Sequence, residues 1–207
     1  MGCKGKISLV FIGLVVFSFS SFGQVVEMAV LGVGNITAKS VGETISGPGS
    51  GTRQVQSSRD AVGASIEYSQ WWGNNAASLD YTLSPTDSKL VTRDATFQWA
   101  ITRHEFDLSW THRFRGARIA PFTQTGFAAI VLNGGAASRL DSQFAPTVGF
   151  GADLRVSTHL AFRYVLKADL LRASNFSDPT YRGGRTFILE PKFGLVWSSA
   201  SRRTGQM

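Results

Sequence analysis

Apolar and polar residues alternate one by one along several stretches of this chain. In 160–171, Leu160, Phe162, Tyr164, Leu166, Ala168 and Leu170 share one parity, and Ala161, Arg163, Val165, Lys167, Asp169 and Leu171 share the other. A strand points successive side chains to opposite faces, so this segment has one apolar face and one carrying charge. The same alternation sets Val62, Ala64, Ile66, Tyr68 and Trp72 against Gly63, Ser65, Glu67 and Ser69. It sets Ala77, Leu79, Tyr81 and Leu83 against Ser78, Asp80, Thr82 and Ser84. It recurs around Phe106, Leu108, Trp110, His112 and Phe114, around Phe144, Val148, Phe150 and Leu154, and around Phe187, Leu189, Phe193, Leu195 and Trp197. Segments 25–37 and 119–132 read as strands too, but they are apolar on both parities or Gly-rich, and the pattern leaves their facing open.

These segments make eight expected strands. Their connections alternate in length: short near 73–75, 115–118 and 157–159, and long over about 38–60, 85–103, 133–143 and 173–186. Short periplasmic turns and longer outer loops are the habit of bacterial membrane barrels, which have an even number of strands. Phe97, Trp99 and Ile101 alternate as well, and a separate strand there would make nine. We read 94–103 as an extension of the fourth strand above the membrane. The apolar parity changes between Ile101 and Phe106, which predicts a bulge near Arg103-His104.

Period alone does not decide which face is inside. A water-soluble barrel of lipocalin type would turn Phe162, Tyr164 and Leu166 inward and Arg163 and Lys167 to water. A membrane barrel does the reverse. The N-terminus argues for export: Lys4 and Lys6 precede the apolar run 7–19, and Ser21-Phe22-Gly23 supplies small residues before Gln24. That is the architecture of a secretory signal peptide, and the run is short of the roughly 20 residues a spanning helix needs. The expected organisation is a signal peptide over 1–23, a barrel over 24–197 and a polar tail over 198–207. No later stretch is long and apolar enough for a helix to span a membrane, and a closed barrel is the other way to satisfy backbone groups in lipid. Trp and Tyr near strand ends or on the apolar face fit the two membrane interfaces.

Charge refines the picture. The chain carries 21 Lys and Arg against 14 Asp and Glu; without Lys4 and Lys6, 19 bases remain. Such a surface suits outer-membrane lipid and lipopolysaccharide, and nucleic acid is an implausible partner for an exported chain. Cys3, the one cysteine, lies in the leader, so the barrel has no disulfide and no thiolate metal site. The face opposite the apolar one carries Glu67, Asp80, Glu105, Asp107, Arg113, Asp153, Arg155, Arg163, Lys167, Asp169, Glu190 and Lys192. Mixed signs favour mutual pairing over a selective pore. Eight strands enclose an interior just wide enough for side chains to fill, where buried charges must be paired. We expect an ion-paired, closed lumen with a structural role.

Three longer phrases carry a family resemblance. AVGASIEYSQWWGNNAASLDYTL (61–83) and PTVGFGADLRVSTHLAFRYVLKADLL (146–171) read as hairpins, and FILEPKFGLVW (187–197) as a closing strand. In them the chain resembles the OmpA-like/OmpX-like small outer-membrane β-barrels across its whole mature length. The resemblance implies an all-β, eight-stranded antiparallel up-and-down transmembrane barrel, monomeric, placed in the outer membrane by the barrel-assembly machinery. Lys192, Gly194 and Trp197 match the assembly signal of such proteins, and the final aromatic position falls at Ser199. No peptidoglycan-binding domain is expected to follow the barrel.

Some small outer-membrane barrels are lipid A-modifying enzymes, but the chemistry is thin here. The histidines are His104, His112 and His159. His104-Glu105 with Ser109 is the best local cluster, and neighbours on a strand face opposite ways, so they do not make a triad. Three scattered histidines lack ligand spacing. The glycines of 149–151 precede no helix and imply no dinucleotide site. We therefore expect no enzyme, no metal and no cofactor. The long connections remain: 39–58 is Gly- and Ser-rich, and 173–186 carries Phe176, Tyr181, Arg182 and Arg185, a mixture enriched at binding surfaces. A structural barrel leads; a narrow pore and a surface-binding or adhesion protein are the rivals. The reading predicts a band in the outer-membrane fraction that shifts on a mild-detergent gel only after boiling; a soluble, unshifted periplasmic band would reverse every facing above.

Overall fold

The computed structural model describes residues 25–34, 36–38, 43–45, 51–56, 62–92, 96–116, 118–133, 141–172 and 185–199. Among them are eleven strands and no helix: β1 (Val25–Val33), β2 (Ile36–Ala38), β3 (Glu43–Ile45), β4 (Gly51–Gln56), β5 (Gly63–Trp72), β6 (Asn75–Thr92), β7 (Thr96–Arg113), β8 (Ile119–Asn133), β9 (Asp141–Arg155), β10 (Leu160–Arg172) and β11 (Arg185–Ser198). Eight of them close a barrel. From β5 to β11 each strand pairs antiparallel with the next, and β1 pairs with both β5 and β11, for example Ala29↔Glu67 and Ala29↔Val196. Closure removes every edge inside the membrane, so each backbone N–H and C=O has a partner without water.

The short turns lie at one end, together with the start of β1 and the end of β11. Gly73, at a left-handed φ of 61°, and Asn74 join β5 to β6. Backbone hydrogen bonds lace this end together: Arg113 N to Asn74 O at 2.8 Å, Phe114 N to Pro121 O at 2.8 Å, Arg155 N to Arg118 O at 2.9 Å, Ser198 N to His159 O at 2.9 Å and Ser199 N to Val26 O at 2.8 Å. By the habit of such barrels this is the periplasmic end.

The other end differs from the expected long loops. β6 and β7 stay paired from Asn75↔His112 to Val91↔Thr96, so 85–103 is mostly a strand pair and not a loop. β4 adds to β6 from Gly51↔Thr92 to Gln56↔Asp87, and β3 adds to β4. Within 38–60, β3 and β4 thus join β6 and β7 in a four-stranded sheet that projects beyond the barrel. β2 extends β1 along β11. Hydropathy marks only the part of a strand that meets lipid, while backbone pairing continues past it.

The expected bulge near Arg103-His104 is absent. The β6–β7 and β7–β8 registers run unbroken through both residues, as Ser84↔Arg103, Leu83↔His104 and Arg103↔Leu132. The parity argument failed because it required apolar residues to face lipid everywhere. Above the membrane that rule lapses, and Phe97, Trp99 and Ile101 simply continue the odd-numbered series of Arg103, Glu105 and Asp107.

The barrel is inside out relative to a soluble protein. Val30, Ile66, Phe106, Leu108, Trp110, Phe127, Phe144, Phe150, Phe193 and Trp197 are exposed, whereas Glu67, Glu105, Asp153, Arg163, Lys167 and Lys192 are buried. This excludes the lipocalin-type facing. The two open strands are settled as well: Ala29, Leu31 and Val33 of β1, and Ala120, Phe122, Ala128 and Ile130 of β8, face inward. Their lumen is partly apolar, which is why the pattern hid their facing.

Gly151 shows how tightly this interior is filled. A Cβ there would strike the Tyr164 carbonyl oxygen and lie 2.6 Å from the Phe122 ring. At Gly149 the nearest atom would be 3.4 Å away. Gly151→Val is therefore expected to abolish the heat-shifted folded band, while Gly149→Ala keeps it.

Candidate functional site

The site is the lumen, built from alternate residues of all eight barrel strands. Its charges form two layers. In the layer nearer the periplasmic end, Arg163 on β10 is the hub. Its Nε and Nη2 donate to Asp153 at 2.8 and 3.0 Å, its Nη1 to Glu67 at 2.7 Å and its Nη2 to Glu27 at 3.1 Å. Arg113 donates from Nη1 and Nη2 to the two Glu27 oxygens at 3.2 and 2.8 Å, and from Nη2 to Asp153 at 2.6 Å. The planar five-donor guanidinium suits such many-sided pairing. Both guanidinium groups also lie over aromatic faces, Arg113 3.7 Å from the Trp71 ring centroid and Arg163 5.0 Å from that of Phe122.

A belt of hydroxyl groups follows. Ser69 donates to Glu67 at 2.7 Å, Ser69 and Ser78 share a hydrogen bond of 2.8 Å, and Ser78 and Thr111 one of 3.3 Å. The second layer lies toward the projecting sheet and centres on Arg103 and Lys167. Arg103 pairs with Glu105, with Glu190 and, at 2.9 Å, with Asp169. Lys167 pairs with Glu105, and reaches Glu190 at 3.2 Å, Asp169 at 3.3 Å and Asp107 at 3.4 Å. Lys192 pairs with Asp80, which also accepts from Ser65, and donates to Thr82 Oγ1 at 2.8 Å. The first layer brings together three acids and two bases, the second five acids and three bases.

Every residue named for this face in the sequence has a definite place. Glu67, Arg113, Asp153 and Arg163 meet in the first layer, and Asp80, Glu105, Asp107, Lys167, Asp169, Glu190 and Lys192 in the second. Arg155 is half-buried one inward position below Asp153. Two central residues were missed. Glu27 could have been found as the lone charge in an apolar membrane strand, since a carboxylate there must face the lumen. Arg103 shares the parity of Glu105 and Asp107, and the supposed bulge hid it.

Glu105, Asp169 and Glu190 place carboxylate oxygens within 4.8 Å of one another, a spacing that could hold a metal ion. Arg103 and Lys167 already stand among them, so side-chain cations do there what a metal would. The histidines lie apart. The Tyr81 hydroxyl and His104 Nδ1 are 2.9 Å apart, His112 Nδ1 meets Asn75 Oδ1 at 2.8 Å, and His159 Nδ1 meets the Ser198 carbonyl at 3.0 Å. The aromatic residues form outward pairs such as Trp72 stacked on Trp110 and Phe162 on Phe193, each with centroids 6.0 Å apart. Trp71 departs from the expected interfacial role and is buried in the lumen under Arg113. Phe176, Tyr181 and Arg182 lie outside the described residues, and Arg185 opens β11 opposite Arg172 and is not in a loop.

A closed, inside-out antiparallel barrel with a salt-bridged interior defines a small membrane β-barrel of the outer-membrane type, the OmpA-like/OmpX-like architecture that the sequence resembles. Solved structures agree on the fold. The chain is similar to the outer membrane protein OprG from Pseudomonas aeruginosa, with a TM-score of 0.56 and 9% identity over 86% of this chain and 96% of that one. It is similar to AlkL, an outer membrane protein solved in lipid bilayers, with a TM-score of 0.56 and 10% identity over 88% and 92% of the two chains. Neisserial surface protein A gives a TM-score of 0.53 and 11% identity over 85% and 97%. No protein-family model matches the sequence, and no curated protein matches it.

Removing one partner of a buried ion pair costs about 3–5 kcal/mol because the other is left uncompensated. Arg163 serves three carboxylates, so Arg163→Met is expected to lower the urea-unfolding stability of the refolded barrel by about that much. Trp197→Ala, on the outward face, should cost clearly less in the same titration.

Proposed function

We propose that this protein is a structural, non-enzymatic barrel of the outer membrane whose lumen is sealed by its own ion pairs. The observation that supports this most directly is the second layer. Arg103, Lys167 and Lys192 span the lumen from β7, β10 and β11 and reach five carboxylates, all but Asp80 buried. A solute would have to separate charges that no water replaces, at a cost of several kcal/mol per ion. The lumen therefore acts as a core, the counterpart of the apolar core of a soluble domain.

A second role is favoured by one feature of the fold. Among the described residues, the projecting sheet has β3 at one edge, paired only with β4, and the far part of β7 at the other, paired only with β6. Open edges above a membrane offer backbone groups to an extended partner segment. Surface interaction through this sheet, with Phe176, Tyr181, Arg182 and Arg185 as further contacts, is compatible with a closed barrel. Lipid and lipopolysaccharide are the surroundings this reading assigns to the outer face.

Planar-bilayer recording tests the sealed lumen. The refolded protein should give no discrete conductance steps, and the double variant Arg103→Ala/Lys167→Ala should give them if it still shifts on boiling. Steady conductance from the unaltered protein would replace the structural reading with that of a narrow pore.

A further inference from the structure

Among the described side chains every acid lies in the lumen, whereas two arginines, Arg115 and Arg118, lie outside it. Eight acidic side chains are described, and all of them belong to the two lumen layers. None of these eight is on the outer surface or the periplasmic rim. The periplasmic rim instead carries Arg115 and Arg118 in the β7–β8 turn and His159 in the β9–β10 turn, all exposed. Arg115 and Arg118 make no ion pair among the described residues. The opposite turn, Gly73-Asn74, has no charge to offset them.

Their setting distinguishes these arginines from ordinary surface charge. Phe114 and Ile119, the residues flanking them in sequence, are 48% and 56% exposed on the lipid side. Val156, beside Arg155 and the backbone bond from Arg155 N to Arg118 O, is exposed as well. The turn is held at both ends, by Phe114 N to Pro121 O and by that Arg155–Arg118 bond. Gly116 packs against the Ile119 carbonyl, where a Cβ would collide. The two arginines thus start one residue beyond the apolar band, within side-chain reach of lipid headgroups. A guanidinium matches the paired oxygens of a phosphate diester, and arginines at helix or strand ends reach to that level.

We propose that Arg115 and Arg118 form a binding site for anionic phospholipid headgroups of the periplasmic leaflet, with His159 on the same arc of the rim. The ligand chemistry is a phosphate diester carrying net negative charge. Peptidoglycan also carries anionic groups, but it would have to approach from below, whereas the flanking Phe114 and Ile119 place the arginines beside lipid.

Bromine-labelled lipid tests this, because Trp72, Trp110 and Trp197 are exposed at the same end and report which lipid surrounds them. The barrel is refolded in phosphatidylcholine vesicles containing brominated phosphatidylglycerol or brominated phosphatidylcholine. Quenching should show phosphatidylglycerol enriched around the protein, on the scale of roughly fivefold per engaged arginine. The enrichment should fall to near parity in Arg115→Gln/Arg118→Gln, persist in Arg115→Lys/Arg118→Lys and weaken in 1 M salt for the unaltered protein. Folding of each variant is checked by the heat shift, and the salt arm stands if the Gln variant does not fold. Equal quenching by the two lipids, or a preference untouched by both the Gln variant and salt, overturns the proposal. So does loss of the preference on adding millimolar inorganic phosphate, which would mark a free-phosphate site. Arginine-dependent sedimentation with purified sacculi without any lipid preference would assign the rim to the cell wall and overturn it too.

Discussion

The structure depends on one constraint: eight strands enclose too little space to hydrate the charges that face inward. Each charge must find its counter-charge among its neighbours. Arg163 meets this by forking to Asp153 while reaching Glu67 and Glu27, which brings β10 together with β9, β5 and β1. Arg103 likewise joins β7 to β10 and β11. Arg163 to Glu67 and Glu27, and Arg103 to Asp169 and Glu190, cross the lumen between strands that share no hydrogen bond, so they tie the cylinder across its width as the backbone ladder ties it around its circumference.

The same constraint makes the outside simple. With the acids drawn inward, the outer surface is left to aromatic and aliphatic side chains whose burial is supplied by lipid. Small residues absorb the crowding within. Gly151 leaves room for Phe122, and Phe122 supplies the face over which Arg163 lies. Packing and charge pairing are therefore one problem in this lumen, and a methyl group in the wrong place disturbs an ion pair.

The two ends of the barrel answer to different physics. At the periplasmic end the turns are short, the backbone closes by hydrogen bonds from turn to turn, and charge is basic. At the other end β6, β7 and β4 continue as a paired sheet beyond the barrel, where no lipid imposes an apolar face. The proposed sealing of the lumen would confine recognition to these two ends and to the lipid-facing wall. The likeness to OprG, AlkL and Neisserial surface protein A lies in the fold, at identities near one residue in ten.

The sequence by itself determined the strands that cross lipid and which of their faces carries charge, because the two-residue period of a strand is local and lipid punishes every error in it. Arg163, Lys167, Asp153 and Glu190 are legible for that reason. It also determined the short turns, since a chain that reverses within a few residues leaves no room for other structure. The tertiary structure alone decided which charge meets which, since partners such as Arg163 and Glu27 or Arg103 and Glu190 lie far apart in sequence and meet only after closure. It also decided the facing of β1 and β8, where apolar residues serve both lumen and lipid, and the continuation of β6 and β7 above the membrane. There the pairing is held by backbone hydrogen bonds, which leave no signature in the order of hydrophobic and polar side chains.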